Sequence, residues 1–287
     1  MKKSPYIKTE SEEYIPSKEP GIGMAKTDAL VSSGDVTETE LAMMRFFYEF
    51  GEMTASMVKE AFSHPWAAHT QKESSSGKNP YRKEILRLCE KKVLLPSSVT
   101  KDGRERLRVY RLSNGARKWC GAHADTQKKY YDHCPNPRRP AISEICALMD
   151  HLSAASFLIK AISSGEKCLT EYTVQKLPGA GRYEGKLKTR RGLDLILKSI
   201  REYDEKEIRS TLRDFKKRYP DKTLLILLPD TEDAEKLMDS QLVSESPSIC
   251  GNILFATDMS TRTEGTPRLL KLNDDGTVSW IDPFPVP

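Results

Sequence analysis

Residues 79–118 read NPYRKEILRLCEKKVLLPSSVTKDGRERLRVYRLSNGARK. In the first part apolar residues recur at helical spacing, with Ile85 and Leu88 on one face, and this pattern predicts a helix over residues 80–92. Further along, the period changes to two, because apolar residues alternate with arginines. The dipeptide Asp-Gly at 102–103 is typical of a hairpin turn. The stretch therefore predicts a helix followed by a β-hairpin.

Two further helices are predicted before this stretch. Thr37 and Glu40 have the spacing of a capping box, and the apolar face that follows ends at Gly51. Thr54 is placed as the N-cap of a second, shorter helix. Three helices followed by a β-hairpin is the order of a winged helix, so we assign residues 36–118 to a winged helix-turn-helix domain.

Positive charge is concentrated in this domain. Residues 72–118 contain 14 Lys or Arg and 5 Asp or Glu, a local net charge of +9, whereas the whole chain carries +5. Localised positive charge on consecutive elements indicates a polyanionic partner, and in a winged helix the third helix enters the major groove of DNA. We therefore expect duplex DNA to contact cations of the helix and the hairpin, with polar readers at the helix start. The predicted contact residues are Asn79, Tyr81, Arg82, Lys83, Arg87, Lys91, Lys101, Arg104, Arg106 and Arg108.

The flanking segments are less regular. Residues 1–35 are rich in Lys, Glu, Ser, Pro and Gly, which predicts a disordered arm. Residues 119–140 are interpreted as a connector, with a domain boundary near Pro140. The chain start has no apolar core of a signal peptide, and no apolar run reaches the roughly 20 residues of a membrane span. We expect a cytoplasmic protein without a membrane partner.

Six cysteines show no disulfide framework, and free thiols are expected in a reducing compartment. Four residues of the connector have zinc-ligand chemistry, namely Cys120, His123, His133 and Cys134. The alternative is that they are free thiols and surface histidines. No cofactor is predicted.

Residues 141–287 are predicted to form an α/β domain with a mixed sheet. An apolar helix is expected over 142–162, and the uninterrupted LLILL at 224–228 suits a central strand buried on both faces. The other predicted strands cover 169–175, 193–200, 252–257, 268–272 and 277–281, and the predicted helices cover 204–218 and 231–240.

This order of elements is that of a restriction-endonuclease-like fold, in which carboxylates hold a divalent cation and a lysine assists water. The candidate catalytic residues are Asp194, with Glu184 or Glu171, and Lys198. Glu184 lies in the Gly-rich stretch 178–186, which we interpret as a hairpin loop, and the strand after Asp194 lacks a second acidic motif. The domain is therefore expected to be inactive, as a scaffold or a dimerisation module.

Five segments together resemble the replication-relaxation family of plasmids and other mobile elements. They are TETELAMMRFFYEFGEMTASMVKEAF at 37–62, the helix and hairpin at 80–111, RRGLDLIL at 190–197, EIRSTLRDFKKRYPDKTLLILLP at 207–229, and the closing strands NILFAT and VSWIDP. The resemblance implies a protein of replication or conjugation that binds DNA at a replication or transfer origin. It also implies assistance to a relaxase or a replication initiator. Apart from the resemblance, a homodimer is expected as one arrangement if the C-terminal domain is a dimerisation module. The alternatives are a metal-dependent DNA nuclease, a winged-helix transcriptional regulator, or a winged helix that binds protein.

Overall fold

The structure is a computed structural model. It describes residues 4–62, 79–123, 142, 144–163, 169–174, 183–189, 192–201, 204–230, 232–233, 236, 252–258, 269–272 and 278–281. The chain divides into two compact units, one formed by residues 9–148 and the other by residues 1–8 together with 149–287. The expected boundary near Pro140 lies outside the described residues, and the division falls between Leu148 and Met149.

In the described part of the chain the fold is mixed α+β, with two sheets and seven helices. The unit of residues 9–148 contains helices α1 (Met24–Ser32), α2 (Glu38–Phe50), α3 (Ala55–Phe62), α4 (Arg82–Glu90) and α5 (Asn114–Ala122). Its strands are β1 (Glu12–Ile15), β2 (Met53–Thr54), β3 (Leu94–Lys101) and β4 (Arg104–Leu112), in the antiparallel order β1-β3-β4-β2.

Local signals in the sequence account for the helix starts. Thr37 and Glu40 form the predicted capping box, because each side chain accepts a hydrogen bond from the other residue's backbone N–H. The hydroxyl of Thr54 accepts a hydrogen bond from the backbone N–H of Met57 at 3.3 Å, so Thr54 caps α3 as predicted. Both caps satisfy backbone donors that the first helical turn leaves unpaired.

The predicted hairpin turn is also confirmed. Lys101 and Arg104 pair across the end of the hairpin, so the turn consists of Asp102 and Gly103. Their φ angles are 50° and 73°, and two positive φ values are what a two-residue turn of type I′ requires. Aspartate and glycine adopt this conformation at lower cost than most residues.

The prediction of a disordered arm over residues 1–35 is wrong for the described residues. Strand β1 pairs with β3 along its full length, and the backbone N–H of Ile22 donates to the carbonyl of Lys92. Helix α1 packs against α5, where the indole N–H of Trp119 donates to Asp28 at 2.8 Å. A few buried residues, Tyr6, Ile22 and Thr27 among them, anchor a segment whose composition is otherwise that of a flexible arm.

The other unit is built on a seven-stranded mixed sheet in the order β11-β10-β9-β8-β7-β6-β5. The strands are β5 (Leu169–Val174), β6 (Gly185–Thr189), β7 (Asp194–Ser199), β8 (Thr223–Leu228), β9 (Ile253–Thr257), β10 (Leu269–Leu272) and β11 (Val278–Ile281). Strands β7, β8 and β9 run parallel to one another, and the remaining neighbours are antiparallel. The helices are α6 (Ile145–Ser163) and α7 (Glu205–Arg218).

The predicted central strand is confirmed, because β8 lies fourth of seven and Leu224–Leu228 are buried. Helix α7 covers one face of this sheet through Ile208, Leu212 and Phe215. The interpretation of residues 178–186 as a hairpin loop is wrong at its end, since strand β6 begins at Gly185 and pairs with β5 and β7. Of the helix predicted over 231–240, the structure describes residues 232, 233 and 236, which are helical, and the rest lies outside the described residues.

Among the described residues, one helix segment, Ile145–Ile162, is long and apolar enough to cross a membrane by length and composition alone. In the folded chain 67% of it is buried, as the core helix of a soluble protein is. The helix is not an uninterrupted apolar run, because polar residues, among them Asp150 and His151, separate its apolar ones.

Candidate nucleic-acid interface

Five of the ten predicted contact residues are exposed cations, and four of them, all but Arg108, have no ion pair within the described part of the chain. Arg82 and Lys83 lie on the first turn of α4, and Lys101 and Arg104 flank the hairpin turn. None of the four forms an ion pair with any residue in the described part of the chain. These side chains can therefore exchange solvent and counterions for a polyanion without first breaking an internal ion pair.

The outward face of α4 also carries an apolar residue. Leu86 follows Arg82 by one helical turn, and 42% of its surface is exposed. The opposite face is buried through Ile85 and Leu88, which the helical spacing had predicted. Cys89, next to Leu88 on this helix, is only partly buried, and burial is the main cause that raises the pKa of its thiol to about 11.

Two cations of α4 and the following turn are held by one buried carboxylate. Arg87 Nε lies 3.2 Å from Glu40 Oε1, and Lys91 Nζ lies 3.2 Å from Glu40 Oε2. The Glu40 side chain is fully buried, and Lys91 also donates to the carbonyl of Asp35. Arg87 and Lys91 thus neutralise the capping-box carboxylate, which gives them a structural role that their sequence pattern did not indicate.

The two remaining predicted contact residues of the hairpin, Arg106 and Arg108, are paired as well. Arg106 contacts Glu12 of β1, and Arg108 Nε donates to Glu105 at 2.9 Å. Burial acts to raise the pKa of Glu105, but hydrogen bonds from Arg108 and Ser98 outweigh it and lower this pKa below its ordinary value. The Arg108–Glu105 ion pair is exposed and therefore weak, so a phosphate can replace Glu105 as the partner of Arg108.

The prediction that Asn79 and Tyr81 read bases is wrong for Tyr81 and unsupported for Asn79. Tyr81 is 1% exposed, and its hydroxyl donates to the carbonyl of Phe62 at 3.2 Å. Asn79 accepts a hydrogen bond from the backbone N–H of Tyr81 and donates to the carbonyl of Ala55 at 2.6 Å. Both residues therefore hold the start of α4 against α3. The hydroxyl and amide groups that suggested base contacts form hydrogen bonds inside the fold instead.

In the other unit, the structure does not bring the catalytic candidates Asp194, Glu184 and Lys198 together. Asp194 Oδ2 accepts a hydrogen bond from Lys222 Nζ at 2.9 Å at the start of β7. Lys198 lies four residues further along the same strand, which corresponds to roughly 13 Å of extended chain. The prediction that Asp194 and Lys198 share a site is therefore wrong. The side chain of Glu171 lies outside the described residues.

Glu184 and Lys198 do meet, because the start of β6 lies beside the end of β7. Lys198 Nζ lies 3.6 Å from Glu184 Oε1 and 3.2 Å from Glu207 Oε1, and Glu184 also accepts the backbone N–H of Ser199 at 2.7 Å. Burial, with a smaller contribution from Asp150, raises the pKa of Glu184 to about 7 against the opposing effect of Lys198. Lys198 is therefore a buried cation that contacts two carboxylates, and its ammonium group occupies the place that a metal ion would need.

A second buried polar cluster surrounds Asp258, which directly follows β9. Its carboxylate accepts hydrogen bonds from the hydroxyls of Ser4 and Ser153, and Arg201 Nη1 donates to it at 2.6 Å. Arg201 also donates to the carbonyl of Leu227. No local sequence pattern indicates this cluster, because its members come from four distant segments.

The structure describes two of the four predicted zinc ligands, Cys120 and His123. The Cys120 thiol is fully buried and donates to the carbonyl of Met44, and burial raises its pKa to about 12, which opposes the thiolate form that zinc binds. The His123 ring stacks on Trp119. Among the described residues no group of three His, Cys, Asp or Glu side chains is arranged to hold a metal ion. His133 and Cys134 lie outside the described residues, and Cys89, Cys120 and Cys146 are free thiols.

No protein-family model matches the chain, and no match was found among curated proteins or solved structures.

Proposed function

We propose that this protein binds duplex DNA through α4 and the β3–β4 hairpin. The observation that carries the proposal is a set of four exposed cations, Arg82, Lys83, Lys101 and Arg104, on two consecutive elements, none of them ion-paired to any residue that the structure describes. Neutralising phosphates with such cations releases counterions from DNA, which is the main source of affinity for a basic surface.

The order of elements supports a winged-helix mode of binding. Helices α2, α3 and α4 are followed by a hairpin whose strand β4 also pairs with β2 between the first two helices. In this mode α4 is the recognition helix. Arg82 and Lys83 then contact phosphates or guanines, and Leu86 is suited to the methyl group of thymine. Lys101 and Arg104 contact an adjacent stretch of backbone.

The biological role that we propose is an accessory protein of a plasmid or another mobile element. It binds at a replication or transfer origin and recruits a relaxase or an initiator, and the C-terminal sheet unit, as a restriction-endonuclease-like scaffold, dimerises or holds that partner. This part of the proposal is supported by the resemblance to the replication-relaxation family alone. A cytoplasmic location follows from the same role. Binding to a promoter instead of an origin would make the protein a transcriptional regulator.

The test is duplex binding by the full chain, measured by fluorescence anisotropy over a range of salt concentrations. The double variant Arg82→Ala/Lys83→Ala is expected to weaken binding more than tenfold. The matched control is Arg213→Ala/Lys217→Ala on the exposed face of α7, which removes the same charge and should change affinity less than twofold. Equal losses of affinity in both variants would mean that only the net charge matters, and would contradict the proposal that α4 contacts DNA.

One observation favours a second function, metal-dependent DNA cleavage, namely the adjacency of Glu184 and Lys198 in the sheet unit. A carboxylate and a lysine are the groups that such a reaction needs. Both are already satisfied by internal partners, and Asp194 lies at the other end of β7. We therefore rank cleavage below binding.

A further inference from the structure

The segment of residues 9–15, here called the N-terminal strap, lies along the hairpin that we propose binds DNA. Its strand β1 pairs antiparallel with β3, with Glu12 opposite Lys101 and Ile15 opposite Ser98. The Ser11 hydroxyl donates to Asp102 in the hairpin turn at 3.0 Å. The strap therefore follows the hairpin from its middle to its tip.

The strongest tie between the strap and the hairpin is the ion pair of Glu12 and Arg106. Arg106 Nε lies 2.6 Å from Glu12 Oε1, and Arg106 Nη2 donates to Oε2 at 3.0 Å, so both carboxylate oxygens face the guanidinium group. The Glu12 side chain is fully buried, and its Oε2 also accepts the backbone N–H of Thr9. A guanidinium group binds a phosphate with the same two-oxygen geometry.

The rest of the strap adds negative charge beside the hairpin. Glu10 and Glu13 are exposed, and Glu13 lies opposite Thr100, next to Lys101. A phosphate that approaches the hairpin tip therefore meets exposed carboxylates as well as cations. The strap is held by a four-residue edge strand, and few apolar side chains secure it, since Ile15 is 46% exposed.

We propose that the N-terminal strap is an autoinhibitory segment, which occupies Arg106 in the free protein and yields it to a DNA phosphate on binding. This inference rests on the proposed function and extends it to the regulation of the same surface. In the free protein Glu12 takes the place of the phosphate, and the hairpin presents Lys101 and Arg104, together with Arg108, whose ion-pair partner is the exposed Glu105. When the strap leaves, Arg106 becomes an additional hairpin contact.

The test compares two single substitutions in the full chain, Glu12→Gln and Glu13→Gln. Each removes one negative charge from the same strand, but only Glu12 contacts Arg106. Glu12→Gln is expected to tighten duplex binding at least fivefold, and to steepen the dependence of log affinity on log salt by about 0.9, the value of one added phosphate contact. Glu13→Gln is expected to tighten binding less than twofold, without a change of slope beyond error. Equal effects of the two substitutions would overturn the proposal.

A second measurement does not depend on substitution. Amide hydrogen exchange of residues 12–15 in the wild-type protein is expected to accelerate at least tenfold when saturating duplex is added. Unchanged or slower exchange would overturn the proposal. Adding Arg106→Gln to Glu12→Gln should abolish the gain in affinity, because the released cation is then missing.

Failure of this inference is distinguishable from failure of the proposed function. If Arg82→Ala/Lys83→Ala weakens binding but Glu12→Gln and Glu13→Gln behave alike, DNA binding stands and the strap is only structural. If neither the wild type nor Glu12→Gln binds duplex at low salt, both proposals fail.

Discussion

Arg87 and Glu40 are 3.2 Å apart, and this contact joins the predicted recognition helix to the capping box of α2. One carboxylate thus caps a helix and neutralises two cations, since Lys91 lies at the same distance. We predict that Glu40→Ala lowers the free energy of unfolding by about 2 kcal/mol, because it removes a cap and leaves the two cations without their buried partner. Urea denaturation measures this change. Glu38→Ala, on the exposed side of the same helical turn, should cost about 0.5 kcal/mol or less, and equal losses would contradict the prediction.

The docking of the N-terminal residues can be tested at Gly115 of α5. A Cβ atom at this position would lie 2.2 Å from the carbonyl oxygen of Ile22, so Gly115→Ala cannot be accommodated without displacing the backbone. We predict a loss of about 1–3 kcal/mol, as for other overpacked sites. If residues 1–35 were disordered, the same substitution would stabilise the helix by about 0.5–1 kcal/mol. The sign of the change decides between the two, and Gly23→Ala, whose Cβ meets nothing within 4 Å, is the control.

The buried pair of Glu184 and Lys198 predicts a dependence of stability on pH. Burial raises the pKa of Glu184 from its ordinary 4.5 to about 7, so between these values the folded state binds more protons than the unfolded state. The contribution of this group to stability therefore falls as pH rises from about 4.5 to 7, and the full penalty is present above pH 7. In Glu184→Gln this decline should be absent in urea denaturation at pH 5, 6 and 7.

A second variant tests whether Glu184 is the group that titrates. Lys198 is the cation that lowers the pKa of Glu184, so Lys198→Met should move the decline to higher pH. A decline that stays between pH 4.5 and 7 in Glu184→Gln, or that moves to lower pH in Lys198→Met, would assign the titration to another group.

The position of Asp194 leads to a prediction about cleavage. Because Asp194 pairs with Lys222 and lies away from Lys198, we expect supercoiled DNA to remain intact with the wild-type protein and Mg²⁺ or Mn²⁺. Agarose electrophoresis after prolonged incubation measures this. Nicking that Asp194→Ala abolishes would contradict the expectation, and nicking that only Glu184→Gln abolishes would place a reaction at the buried pair.

Local patterns predicted a large part of the fold. Thr37 and Glu40 identified a helix start, Asp102 and Gly103 identified a turn, and the run at 224–228 identified the central strand. In each case the information lies within a few neighbouring residues, since caps, turns and strand burial depend on local chemistry.

The partners of the charged residues could not be predicted in the same way. Arg106 pairs with Glu12 and Lys91 pairs with Glu40, 94 and 51 positions away. Composition placed the acidic N-terminal residues in a flexible arm, although one of them is a buried partner. Charge counts therefore identified the basic surface, but only the fold distinguishes exposed cations from those already neutralised.

Ser4 and Asp258, which are hydrogen-bonded, stand 254 positions apart. The stretch 9–148 is therefore inserted, in chain order, inside the unit that begins before it and resumes after it. During synthesis Ser4 is made 254 residues before Asp258, so the sheet unit can be completed only after the whole inserted stretch has been made. If the inserted stretch folds first, the loop that must close between Ser4 and Asp258 becomes effectively shorter. Because the sheet unit is made of two separate chain segments, no single proteolytic cut separates the two units intact.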